Sequence, residues 1–265
     1  PDELRNINIQ SAVDDWIGAS IAAEGSEKTL LLLLEHLPSI EDWDTSRITR
    51  MTKLFYNKQS FNADISKWMT SNVTTMENIF RHAILFNSNI SNWDVSKVKN
   101  FQHSFSEAFS FNADHLSRWD VSNAVSMKEM FYSMAQLFEP NLNLMSWDVS
   151  NVIDTSFMFS GVAVVFDISK WNVSKVQNMY AMFGARGSFD GNQGLLNPLT
   201  DINVSTWDIS SVTNLRSTFE GLTNFKSDLS RWDVSQVSNF GYMFSRASSF
   251  NSDLSKWNVE KLVGM

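Results

Sequence analysis

The chain contains no cysteine, only four prolines and only ten glycines among its 265 residues. Without cysteine there is no disulfide, no thiolate metal site and no thiol nucleophile. No run reaches the roughly 18 consecutive apolar residues that span a bilayer, and the longest candidate, Leu30 to Leu34, is far shorter. Basic residues are outnumbered 21 to 29 by acidic ones, for a net charge of −8. That balance counts against nucleic acid or an anionic membrane as the main partner. No Gly-rich phosphate loop, His-Glu-x-x-His pattern or nucleophile-base spacing is present, so neither an enzyme nor a cofactor is expected. The four histidines, His36, His82, His103 and His115, stand at unrelated positions. No signal or transit peptide is visible. The chain opens at Pro1 without Met, which suggests an upstream segment removed or left out.

What the chain has is a period. Trp43, Trp68, Trp93, Trp119, Trp147, Trp171, Trp207, Trp232 and Trp257 follow one another at steps of 25, 25, 26, 28, 24, 36, 25 and 25. A unit that short cannot close a core alone and must lend its apolar face to a neighbour, so the period predicts stacked coils. Counting each Trp as zero, position 12 is Phe in all eight complete units, from Phe55 to Phe244. A second Phe follows about six residues later, as at Phe61, Phe86 and Phe250.

Met76, Ile79, Phe80 and Ala83 recur at helical spacing, whereas Ile65 to Thr70 carries the period of a strand centred on Trp68. The expected fold class is therefore an α/β repeat solenoid, with one short parallel strand and one short helix per coil of about 25 residues. Residues 1–42 lack the repeat and are expected to form a helical N-terminal cap over the first coil's edge. Its helices are expected around Ser11 to Ile17, with Ser11 as cap, and Lys28 to Leu37. Residues 43–265 then form eight complete coils and a truncated ninth, with a loop insertion at 184–201.

The units resemble the BspA-like leucine-rich-repeat family, in the variant of mycoplasma and protist surface proteins. The resemblance lies in Phe61-Asn62-Ala63-Asp64-Ile65-Ser66-Lys67-Trp68 and Trp207-Asp208-Ile209-Ser210-Ser211-Val212-Thr213-Asn214-Leu215, and it extends over about residues 40 to 265. It implies a leucine-rich-repeat fold and a non-catalytic interaction or adhesion module that is extracellular or displayed at the cell surface. The expected partner is a protein. The alternative is a structural subunit of a larger, organelle-targeted assembly, joined through the open C-terminal coil.

A uniform face cannot encode a unique address, so recognition is expected where the repeat is broken. The insertion offers Arg186, Phe189, Asp190, Leu195, Leu196 and Leu199 as a candidate partner-binding loop, bracketed by Gly187, Gly191, Gly194 and Pro198. A smaller insertion surrounds Glu139 to Met145. Position +1 carries an acidic row, Asp44, Asp94, Asp120, Asp148, Asp208 and Asp233. Beside it at −1 stand Lys67, Arg118, Lys170, Arg231 and Lys256, which predicts charge pairing and turn hydrogen bonding ahead of calcium binding. Asn72, Asn89, Asn172 and Asn203 form N-glycosylation sequons.

Overall fold

Two positions in each coil decide its shape. The residue at +10 has a left-handed backbone in every complete coil, from Lys53, Asn78, His103 and Glu129 through Phe157, Ala181 and Ser217 to Tyr242, with φ between 48° and 61°. The residue at +14 repeats the device at Asn57, His82, Glu107, Ser133, Gly161, Gly221 and Arg246. A right-handed helix cannot pass through such residues, because each one reverses the sense of the backbone. The structure, a computed structural model, describes residues 8–23, 39–134, 144–162, 167–184 and 202–263.

The reversal turns alternate amides out of the coil and along the stack. The N–H groups of Met51, Lys53, Phe55 and Asn57 donate to the carbonyls of Thr75, Glu77, Ile79 and Arg81 in the next coil, at 2.8 to 3.0 Å. Amides in between close tight turns within their own coil, as Leu54 N–H to Met51 O and Tyr56 N–H to Lys53 O. The arrangement continues to the last junction, where Leu215, Ser217, Phe219 and Gly221 donate to Asn239, Gly241, Met243 and Ser245.

The expected alternation of strand and helix is therefore wrong. Among the described residues the elements are α1 (Ile9–Ala23) and two single 3-10 turns, Ile40–Asp42 and Ala113–Leu116. Among the described residues no coil contains the expected helix, because its amides are committed to the neighbouring coil. No strand forms at the tryptophans either. Trp68 N–H bonds back to Ile65 O, which makes that stretch a turn. Parallel pairing is confined to isolated bridges at +7, Arg50 to Thr75 to Asn100 to Ser126 and onward to Asn239. One bridged residue per coil is too little for a sheet.

The apolar spacing nonetheless identifies the core. Met76, Ile79, Phe80 and Ala83 are fully buried. The position-12 rings form one uninterrupted ladder, Phe55, Phe80, Phe105, Phe131, Phe159, Phe183, Phe219 and Phe244, with centroids 5.4 to 6.1 Å apart. Each Trp abuts the Phe of the preceding coil, as Trp68 does Phe55 at 5.7 Å. Its indole Nε1–H then donates to a main-chain carbonyl of that coil: Trp68 to Ile40, Trp93 to Ile65, Trp119 to Ile90 and so on to Trp257 with Leu229. Period and burial thus have one cause, since a buried indole needs an acceptor and finds it one coil back.

Helix α1 covers the first coil. Ile9 and Val13 enter the core, Trp16 packs edge-on against Phe61, and Asp14 pairs with Lys58 at 2.7 Å. Gln10 Nε2 donates to Leu54 O, the carbonyl that a preceding coil's Phe amide would occupy. The expected cap residue Ser11 lies inside this helix, and the second expected cap helix, Lys28 to Leu37, lies outside the described residues.

The left-handed positions yield a paired test. Gly221→Ala is expected to lower stability by about 1 kcal/mol or more, and Arg246→Gly, at an exposed site, to raise it by about 0.5–1 kcal/mol. Denaturant titration of both variants checks the signs.

Candidate binding surface

The left-handed residues display their neighbours along one edge of the stack, and that edge changes character half-way. In the first coils, positions 9 and 10 carry Glu77 and Asn78, Gln102 and His103, then Lys128 and Glu129. His82 and His103 are not incidental. Both occupy left-handed positions, and each faces a glutamate one coil on: His82 Nδ1 lies 2.8 Å from Glu107 Oε2, and His103 Nδ1 approaches Glu129 Oε2 at 2.9 Å without hydrogen-bond alignment. Counting positions from the tryptophans would have revealed this. His115 packs edge-on against Phe111, and burial pushes its imidazole pKa down. His36 lies outside the described residues.

From the fourth coil onward the same edge turns aromatic. Tyr132 meets Phe157 edge-to-face at 6.2 Å, and Phe157 meets Tyr180 at 4.5 Å. The guanidinium of Arg216 then sits 6.0 Å from the Tyr180 ring and 5.2 Å from that of Tyr242. Five residues from five successive coils thus form one ribbon. Tyr242 is 63% exposed and the other four are half-buried. Among the described residues the Arg216 guanidinium meets two tyrosine rings and no carboxylate, and the side chain also packs against Gly241. A guanidinium fixed by aromatic faces is ready for a planar anionic group, because little of its freedom remains to be lost. Tyr and Arg are also the residues most often found at the energetic centre of interfaces. The sequence reading overlooked the ribbon, since its members fall at positions 13, 10, 9, 9 and 10. The available signal was the replacement of charged and amide residues by rings at positions 9 and 10.

The sequence-derived candidates fare differently. The loop residues Arg186, Phe189, Asp190, Leu195, Leu196 and Leu199, and the insertion from Glu139 to Asn143, lie outside the described residues. The four sequon asparagines are exposed but not gathered in one place. Asn89, Asn172 and Asn203 each accept the amide two residues on through Oδ1, whereas Asn72 Nδ2 donates to Ser46 O in the preceding coil.

The acidic row is a set of turn-holders. Oδ1 of Asp44, Asp94, Asp120, Asp148, Asp208 and Asp233 accepts the amide of the Ser two residues later, at 2.9 to 3.0 Å. A second row at −4, with Asp64, Asp167, Asp228 and Asp253, does the same. The basic neighbour lies elsewhere: Lys67 approaches Asp42 at 3.7 Å, with both groups exposed. Asn172 and Asn258, which interrupt the acidic row, make the same bond as an aspartate. The two hydrogen bonds from Ser96 hold the Asp94 carboxyl below its usual pKa, and those from Ser150 act alike on Asp148. Among the described residues no three His, Asp or Glu side chains gather as a metal site would require.

A family model described as Mycoplasma protein of unknown function, DUF285, matches residues 33–142, 115–200 and 195–265. The chain belongs to that family. No curated protein and no solved structure matches it. Among the described residues of this DUF285 member no helix is long and apolar enough to cross a membrane.

Because the folded carboxylates have lowered pKa values, their stabilisation is present above the ordinary value of 3.8 and disappears as pH falls through the lowered ones. Asp94→Asn is expected to keep the turn and near-native stability at neutral pH while weakening the acid dependence. Asp94→Ala should lose about 0.5–1.5 kcal/mol at neutral pH. Melting temperatures between neutral and strongly acidic pH distinguish the two.

Proposed function

We propose that this DUF285 protein is a non-catalytic binding module that engages a protein partner through the ribbon from Tyr132 to Tyr242, with Arg216 at its centre. The observation that carries the reading is the Arg216 guanidinium held against two tyrosine rings, one of them on the exposed Tyr242. The chemistry that fits is a partner surface bearing a carboxylate beside apolar contacts. A repeat of this kind provides a stiff frame on which such residues keep their spacing.

The further part of the proposal is location. The resemblance of the sequence units to BspA-like surface repeats supports secretion or display at the cell surface. The exposed sequons at Asn89, Asn172 and Asn203 would carry a glycan without loss of an Nδ2 hydrogen bond to the preceding coil.

The test of the site is a panel of surface-displayed and secreted proteins from the source cells, probed with the wild-type chain and with Arg216→Ala and Tyr242→Ala. Either variant is expected to weaken the wild-type interaction by about tenfold or more, the range of an interface hot spot, while melting within a few degrees of wild type. Equal binding by all three proteins excludes the ribbon. For location, a membrane-impermeant amine label applied to intact cells is expected to reach exposed lysines such as Lys67. Labelling only after lysis refutes surface display.

A further inference from the structure

The hydrogen bonds between coils fix a rise of about 4.8 Å per coil, the spacing of hydrogen-bonded extended chains. The ribbon takes one residue from each of five successive coils, and its tyrosines fall on alternate ones: Tyr132, Tyr180 and Tyr242 belong to the fourth, sixth and eighth. Phe157 and Arg216 stand between them, on the fifth and seventh. The tyrosine-bearing coils thus recur at about 9.6 Å along the axis of the stack. Successive rings cross steeply, Tyr132 with Phe157 at 80° and Phe157 with Tyr180 at 65°, so the surface is ridged and not flat. Further along, the Arg216 guanidinium lies against the rings of Tyr180 and Tyr242 and beside Gly241, which has no side chain to compete for the space.

We infer that the ribbon binds a proline-rich segment in the polyproline II conformation, lying along the stack with a carboxylate of its own against Arg216. The inference rests on the ribbon's being the binding surface, and it names the ligand. One turn of polyproline II takes three residues over about 9.3 Å, so one face of such a chain repeats in step with every second coil. Over two turns the mismatch is only about 0.6 Å. A β-strand repeats its face every ~6.8 Å, which fits neither one coil nor two. An α-helix turns over about 5.4 Å and would be out of step by about 2.4 Å across the same four junctions. Proline suits the ribbon in two further ways: its ring packs on aromatic side chains, and its chain is extended before binding, so little order has to be imposed. Charge complementarity fixes the register of the segment. Arg216 is the ribbon's charged member, and a guanidinium pairs most strongly with a carboxylate.

The probe is a nine-residue peptide of four prolines, one glutamate and four prolines, which spans about 28 Å. Titrated calorimetrically with the full chain up to about 1 mM, it is expected to bind saturably, and about tenfold more weakly with glutamine in place of the glutamate. Arg216→Ala should abolish that difference, and Tyr180→Ala should weaken both peptides by about tenfold. A peptide with alanine for every proline keeps the charge and loses the preformed extended conformation, and it should not bind. No saturable binding of the proline peptide, equal binding of the alanine peptide, or equal affinity for the glutamate and glutamine forms overturns the inference. None of these three outcomes depends on a protein variant folding. Undiminished binding by the Tyr180→Ala chain also overturns it. If Arg216→Ala weakens a partner found in the panel while the proline peptide fails to bind, the ribbon remains the binding surface and this choice of ligand falls.

Discussion

The structure depends on one constraint: alternate amides in each coil must find their acceptors in the next coil. Residues at +10 and +14 lie in the left-handed region, and in the first seven coils the penalty of about 1–2 kcal/mol at each non-glycine is offset by the carbonyls that the next coil supplies. Side chains are then arranged around these bonds. The Phe ladder fills the interior, and the indoles add a second set of cross-coil bonds from within the core. Asx-type turns at −4 and +1 set the corners so that successive coils superimpose. A coil taken alone would retain the backbone strain and lose the compensation.

The same geometry creates an edge along which the chemistry changes from coil to coil. Positions 9 and 10 carry charged, amide and aromatic residues in different coils, with Asn78, His103, Ala181 and Ser217 buried at position 10 and Tyr242 exposed there. This explains how one molecule presents His–Glu approaches in its early coils and rings with an arginine in its later ones. The ribbon is a departure from the repeat that leaves the period intact.

Much of the interior was legible in the sequence and little of the backbone was. Phe at position 12 and the apolar Met76, Ile79, Phe80 and Ala83 marked buried positions correctly. The same spacing suggested a helix, because a chain of tight turns that reverses every four residues presents its side chains with nearly the helical period. Nothing at Lys53, Glu107, Phe157 or Tyr242 announces a positive φ, since none is the Gly or Asn that such a position usually recruits. The acidic row was visible, but its role lay in the Asp-x-Ser spacing and not in the adjacent basic residues. The ribbon was missed because its members come together only once coils are stacked.

Running the main-chain bonds along the axis of the stack also has a mechanical meaning. Tension applied between the two ends pulls each junction in the direction of its own N–H···O vectors, so every junction bears the full load in series and junctions yield singly. Each that opens releases one coil of slack, on the order of 85 Å for about 25 extended residues. Such a molecule lengthens in steps under load, and the coils not yet opened remain intact.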